Sequence, residues 1–207
     1  LCSPHKEVRL ETVLKIIEFF PDIASHIFNL ALKYRKNDPG ITARVIEKAA
    51  AIDAEGILPV LLTLAIEPPI PPSEPWDIYP DSQVSVAAIK LLVKFDKEAE
   101  KIKQVLTPIA ANKTSDYYYL REAAISVLGE MGKVSKKQEG IWRRELDNGT
   151  WNESVEYGLR LALIRNELKK KDKDTGKIKR DMEGLFELLN MSRSTRAYFV
   201  YPELIKM

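Results

Sequence analysis

The sequence predicts an all-α protein, an α-solenoid of about five stacked antiparallel helix pairs. Apolar residues recur at helical spacing in almost every segment between turn signals, and no segment alternates with period two. Five segments also resemble one another, at successive spacings of 33, 43, 36 and 35 residues. A two-helix unit of about 35 residues that repeats is read as a stack, because a single pair cannot bury its apolar face alone.

The five segments are VRLETVLKIIEF from Val8, ITARVIEKAAAI from Ile41, VSVAAIKLLVKF from Val84, LREAAISVLGEM from Leu120 and VEYGLRLALIRN from Val155. Their first, fifth and ninth columns are mostly apolar or small, and those positions share one face of a helix. Thr12 breaks the column in the first copy, and Arg160 shifts the last copy by one. Asp38, Asp81 and Asn152 stand three residues ahead of their copies and Asp116 four ahead. Each is predicted as an N-cap, since its side chain can accept a bond from an unpaired first-turn amide. His5 takes the matching place in the first copy as a weaker cap.

Between these helices lies a second set of apolar segments: IASHIFNLALKY from Ile23, ILPVLLTLAI from Ile57, IKQVLTPIAAN from Ile102 and the weaker QEGIWRREL from Gln138. Trp142 and Trp151 flank a turn predicted at Asp147-Asn148-Gly149 and are expected to pack across it. After Arg180, GLFELLNM from Gly184 reads as an amphipathic helix, and AYFVYPELI from Ala197 as apolar sequence that closes the stack. The whole of 1–207 reads as one domain with two interruptions, a proline-rich inserted loop at 67–81 and a charged loop at 169–181. The first, EPPIPPSEPWDIYP, holds six of the 12 prolines and keeps the repeat phase on both sides. Proline restricts φ and so lowers the entropy lost on ordering such a loop. Its Pro-x-x-P at Pro69 to Pro72 has no flanking Arg or Lys, which argues against an SH3-type ligand.

The segments NDPGITARVIEKAA and DYYYLREAAISVLGEMG resemble the second helix of a HEAT or HEAT-like repeat, with Asp116, Leu120, Arg121, Ala123, Ala124, Leu128 and Gly129 fitting best. The resemblance covers roughly residues 5 to 166 and implies a curved binding surface on the side of the second helices. It also brings alternatives, since some HEAT-like proteins bind DNA and excise alkylated bases and others act on pigments. The paired alanines have a physical use, because small side chains let neighbouring helices cross closely.

Composition narrows the function. Net charge is +2 from 32 basic and 30 acidic residues, so no chain-wide field attracts a polyanion. Residues Lys169 to Arg180 carry seven basic and two acidic side chains, leaving the remainder near −3, against the uniformly basic face of a nucleic-acid-binding stack. That stretch reads as a solvated loop; its Asp172, Asp174 and Gly176 fit an EF-hand in neither register. His5 and His26 are the only histidines, His26 at the margin of a packed face, and neither has a Cys or His at metal-ligand spacing. No phosphate loop occurs, and no carboxylate pair stands out for acid and base work. The single cysteine, Cys2, excludes an internal disulfide, and as a lipid-anchor site it lacks the small preceding residue. Asn112, Asn148, Asn152 and Asn190 sit in N-x-S/T triplets, which read as polar helix boundaries.

These observations predict a non-enzymatic scaffold that binds a protein or peptide, without cofactor or metal. Outward columns carry Glu47, Lys90, Lys94, Glu122, Glu130 and Arg165, a mix of signs suited to a polar protein partner. The predicted partner-binding residues are Trp76, Tyr79, Lys90, Lys94, Tyr117, Arg121 and Glu122, since at least one of Tyr117, Tyr118 and Tyr119 must lie near the surface. The alternatives are a HEAT-like nucleic-acid-binding protein or glycosylase, and a lipid-anchored protein of the cell envelope; the compartment defaults to the cytoplasm.

Overall fold

A computed structural model describes residues 5–33, 35, 38–52, 54–68, 82–114, 117–149 and 153–191. Among them are ten α-helices and no strand: α1 Lys6–Phe19, α2 Ala24–Lys33, α3 Pro39–Ile52, α4 Ala54–Ile66, α5 Gln83–Leu91, α6 Ala99–Ala111, α7 Tyr118–Glu130, α8 Lys136–Asp147, α9 Glu153–Leu168 and α10 Thr175–Met191. None is long and apolar enough to cross a membrane. The chain forms two compact units, Leu1–Val127 and Leu128–Met207, and the division falls inside α7.

Within the N-terminal unit the helices pack on their neighbours in two rows. Helix α1 lies on α3 and α3 on α5, while α4 lies on α6; α2 with α3, and α4 with α5, join the rows. The predicted columns explain the first row. Val45 and Ala49 of α3, then Val84, Ala88 and Leu92 of the third copy, are buried, as are Leu120 and Ala124 of the fourth. Helix α1 departs from this pattern. Val8 is 49% exposed, and the buried residues are Val13 and Ile17, one position beyond the predicted face. Those are the sixth and tenth columns, matching Ile46 and Ala50, so the stripe that α1 covers is the one facing α3.

The helix ends agree with local chemistry. Asp38 accepts from the Ile41 amide at 3.3 Å, and Pro39 follows at the first helical position, where its missing N–H costs nothing. His5 precedes α1 without a side-chain capping bond. Asp81, Asp116 and Asn152 lie outside the described residues, as do Cys2, Trp151 and residues 69–81 and 192–207. Two carbonyls near helix ends are taken by equivalent residues: Thr42 Oγ1 donates to Ala31 O at 3.1 Å, and Arg121 Nε to Ala110 O at 3.0 Å. Each donor stands in the second column of its copy and reaches back 11 residues to the preceding helix. Glu67, where the proline-rich stretch begins, is clamped by Arg35 through Nε and Nη2 at 3.0 and 2.9 Å.

In the C-terminal unit α8 packs on α9 and α9 on α10. Val155, Leu159 and Leu163 are buried, so the last copy keeps the common columns and is not shifted. Arg160 instead occupies the sixth column, where Ile46, Ile89 and Ile125 are fully buried in other copies. Helix α7 ends on Gly132 at φ +65°, with Lys133 N bonded to Leu128 O and Gly132 N to Gly129 O, both at 3.0 Å. That double bond pattern closes a helix with one left-handed residue, which glycine adopts without strain. The predicted turn after α8 is present at Asn148 and Gly149, the latter at φ +78°. The charged segment is only partly loop, because Asp174 caps the Lys177 amide at 3.1 Å and α10 begins at Thr175. Asn112 and Asn148 are helix C-caps, and Asn112 Oδ1 accepts from both the amide and the hydroxyl of Thr114.

Two glycines test the packing. A Cβ on Gly129 would stand 2.4 Å from the Ala162 Cα, a backbone atom that cannot swing aside, whereas one on Gly140 in α8 would meet nothing within 4 Å. Gly129→Ala is expected to lower the urea unfolding free energy by about 1 to 3 kcal/mol. Gly140→Ala is expected to raise it by about 0.5 to 1 kcal/mol, through helix propensity alone. Equal effects would contradict a backbone-limited crossing of α7 and α9.

Candidate functional site

The sequence-predicted surface residues meet different fates. Lys90 on α5 and Lys94 in the short 3₁₀ turn that follows are exposed, and Tyr117 and Glu122 are half-buried. Tyr119 is 49% exposed and stacks edge-on against Tyr118, with centroids 4.8 Å apart, so one tyrosine of the three does reach the surface. Arg121 is corrected: at 2% exposure it is interior, and its guanidinium bonds the end of α6, where a helix presents unpaired carbonyls to a cation. Trp76 and Tyr79 lie outside the described residues. None of the described ones lines the cavity described below. His26 is exposed, with Ile23 and Leu30 beside it also exposed, so that end of α2 is not a packed face. Among the described residues no group of three or more His, Cys, Asp or Glu is arranged to hold a metal ion.

The concentrated chemistry is in the C-terminal unit, and it is built from the stretch predicted to be a solvated loop. Lys170 bonds Glu139 at 3.1 Å and also Glu167. Lys177 stands 3.4 Å from Glu139. Arg143 Nε bonds Glu139 at 3.1 Å, one helical turn away, and its Nη1 reaches both oxygens of Asp181 at 3.3 and 3.1 Å. Glu167 also accepts from the Asp174 amide at 2.9 Å, which pins the loop after α9. Glu139, Glu167 and Asp181 are all buried. Three acids face three bases, so the cluster is neutral as a whole, the condition under which buried charge is tolerated.

The carboxylates differ because their surroundings differ. Burial pushes Glu139 upward, but hydrogen bonds from Lys170 and Arg143 and the charges of Lys170 and Lys177 outweigh it, and its pKa falls from 4.5 to about 2. Burial likewise opposes ionisation of Glu167, and Lys170 with the Asp174 amide brings it below the usual range. Lys170 moves up, its burial overcome by Glu167 and Glu139. Asp181 goes the other way: it is 1% exposed, and burial prevails over Arg143, Arg180 and Arg160 to raise it.

A cavity of about 260 Å³ opens beside the Arg143–Asp181 pair, with α8, α9 and α10 as its walls. Arg160 spends Nε and Nη2 on Glu156, at 3.0 and 2.8 Å, and its guanidinium lies against Gly184. A Cβ there would meet the Arg160 Cζ and Nη1 at 2.3 Å, so a glycine at 184 is what lets the arginine lie against α10. Arg180 and Asp147 stand at the same cavity. Such a site can sort ligands by charge and hydrogen bonding.

Compared with known proteins, the chain matches no family model, no curated protein and no solved structure.

Sequence reading missed this cluster, although one signal was there: an arginine in a column that is isoleucine in three other copies demands a buried partner. The depressed pKa of Glu139 carries a sign. A carboxylate with a folded pKa below its unfolded one stabilises the fold fully above pH 4.5 and loses that contribution as pH falls through about 2. Glu139→Gln is expected to cost about 3 kcal/mol at pH 7, and the gap from wild type should close between pH 4.5 and 2 in urea unfolding. Parallel curves over that range would refute the assignment.

Proposed function

We propose that the chain is an α-solenoid of HEAT-like helix pairs and serves as a non-enzymatic scaffold for a protein or peptide partner. The observation that carries this reading is the repeated burial of the same columns in four copies, with exposed Glu47, Lys90, Lys94 and Glu130 beside them. The Thr42 and Arg121 bonds at equivalent places support the repeat, as does the row of α1, α3 and α5. Stacked pairs of this kind make an extended surface that suits a polypeptide, and mixed charge selects one partner over a generic polyanion. Lys90, Lys94, Tyr117 and Glu122, with Trp76 and Tyr79 of the proline-rich stretch, form the proposed contact set.

Photo-crosslinking residues placed at 90 and 94, with controls at the exposed positions 63 and 144, test this directly in the native source. A protein adduct formed at 90 and 94 and not at the controls is expected, and the Lys90→Glu, Lys94→Glu double variant should abolish it without changing the melting temperature. A nucleic-acid adduct would favour the glycosylase-like alternative. Equal adducts at all four positions would remove the proposed contact set.

A further inference from the structure

Three arginines, Arg143, Arg160 and Arg180, line the cavity between α8, α9 and α10. Arg143 Nη2 is buried and makes no hydrogen bond, while the other nitrogens of the same guanidinium hold Glu139 and Asp181. A buried donor without an acceptor is costly, and such groups are uncommon in folded proteins. Arg160 leaves its Nη1 edge over Gly184, and Arg180 stands exposed at the same opening. The rim also carries Asp147, Glu183 and Glu187, all exposed. Guanidinium groups and the buried Asp181 carboxylate thus line the cavity, and its exposed rim is mostly acidic.

We propose that this cavity receives a carboxylate side chain of a peptide segment whose neighbouring residue is basic, the carboxylate meeting the arginines and the basic side chain meeting Asp147, Glu183 and Glu187. The proposal rests on the scaffold reading and names a second contact for the same kind of partner. The volume of about 260 Å³ holds one acidic side chain. A planar carboxylate suits the fork of a guanidinium. A phosphate or an all-acidic peptide would be repelled by the acidic lip.

The test is a titration of the full chain with acetyl-Glu-Lys-amide, followed by the side-chain Nε–H signals of Arg143, Arg160 and Arg180. Saturable shifts with a Kd of about 1 mM are expected, the strength usual for a ligand of this size. Acetyl-Gln-Lys-amide, acetyl-Glu-Gln-amide and inorganic phosphate should each bind at least about tenfold more weakly. Arg180→Gln removes one donor from an exposed position, and Gly184→Ala pushes the Arg160 head off α10. Both should weaken binding about tenfold with the backbone spectrum unchanged outside α9 and α10. Equal binding by wild type and both variants, or by the Gln and Glu probes, overturns the site, as does absence of any shift. Crosslinked partner at positions 90 and 94 without probe binding would defeat this site alone. Probe binding without any crosslinked protein would defeat the scaffold reading alone.

Discussion

The closeness of helix crossings governs what else the structure can do. At Gly129 and Ala162 two backbones meet with no space for one more carbon atom. Ala49, Ala87, Ala88, Ala123 and Ala124 are likewise buried on the second helices of their copies. Crossings of this kind place helix axes about 8 to 10 Å apart, leaving no layer for water between them. Larger side chains such as Ile46, Ile89 and Ile125 fill the space beside the small ones. Polar groups therefore have two options: they go to helix ends, as Thr42 and Arg121 do, or they enter the interior fully paired.

The C-terminal unit takes the second option. Helix α8 buries Gln138, Glu139, Trp142 and Glu145, so much of its inward face is polar. Ions replace apolar packing there, with Lys170 supplied by the connection after α9 and Lys177 by α10. Exchanging apolar contacts for ion pairs seldom raises stability, since desolvation consumes most of the Coulomb gain. What it supplies is position: Arg143 Nη1 donates to both oxygens of Asp181, which holds α10 against α8 with a directionality that a leucine contact would not impose.

The helical content, the helix pairs and most of the buried columns were legible in the sequence because apolar periodicity records them directly. Helix α1 was misplaced by one position, because a stripe covered mainly by α3 is narrower than the apolar pattern of the segment, and Val8 remains outside it. The lysine-rich stretch was misread for a different reason. Its charge was visible, but its partners Glu139 and Glu167 stand about 30 residues upstream or across a turn, and long-range pairing leaves no periodic trace. Arg121 was misassigned to the surface because an arginine at a helix start looks solvent-facing unless the carbonyl behind it, Ala110 O, is known.

Arg160 links the close helix packing to the polar interior. In three copies its column carries an isoleucine whose place is fixed by the neighbouring helix, and any of those could be exchanged for a similar apolar residue at small cost. In the last copy the same column needs Glu156 to hold the guanidinium, Gly184 to make room for it, and a cavity to receive its remaining edge. Two residues and a cavity thus depend on the one arginine. A departure that only weakened packing would have no reason to be so fully supported. Local inconsistencies of this kind are where proteins place function at the expense of ideal packing, and here the inconsistency lies where α8, α9 and α10 meet.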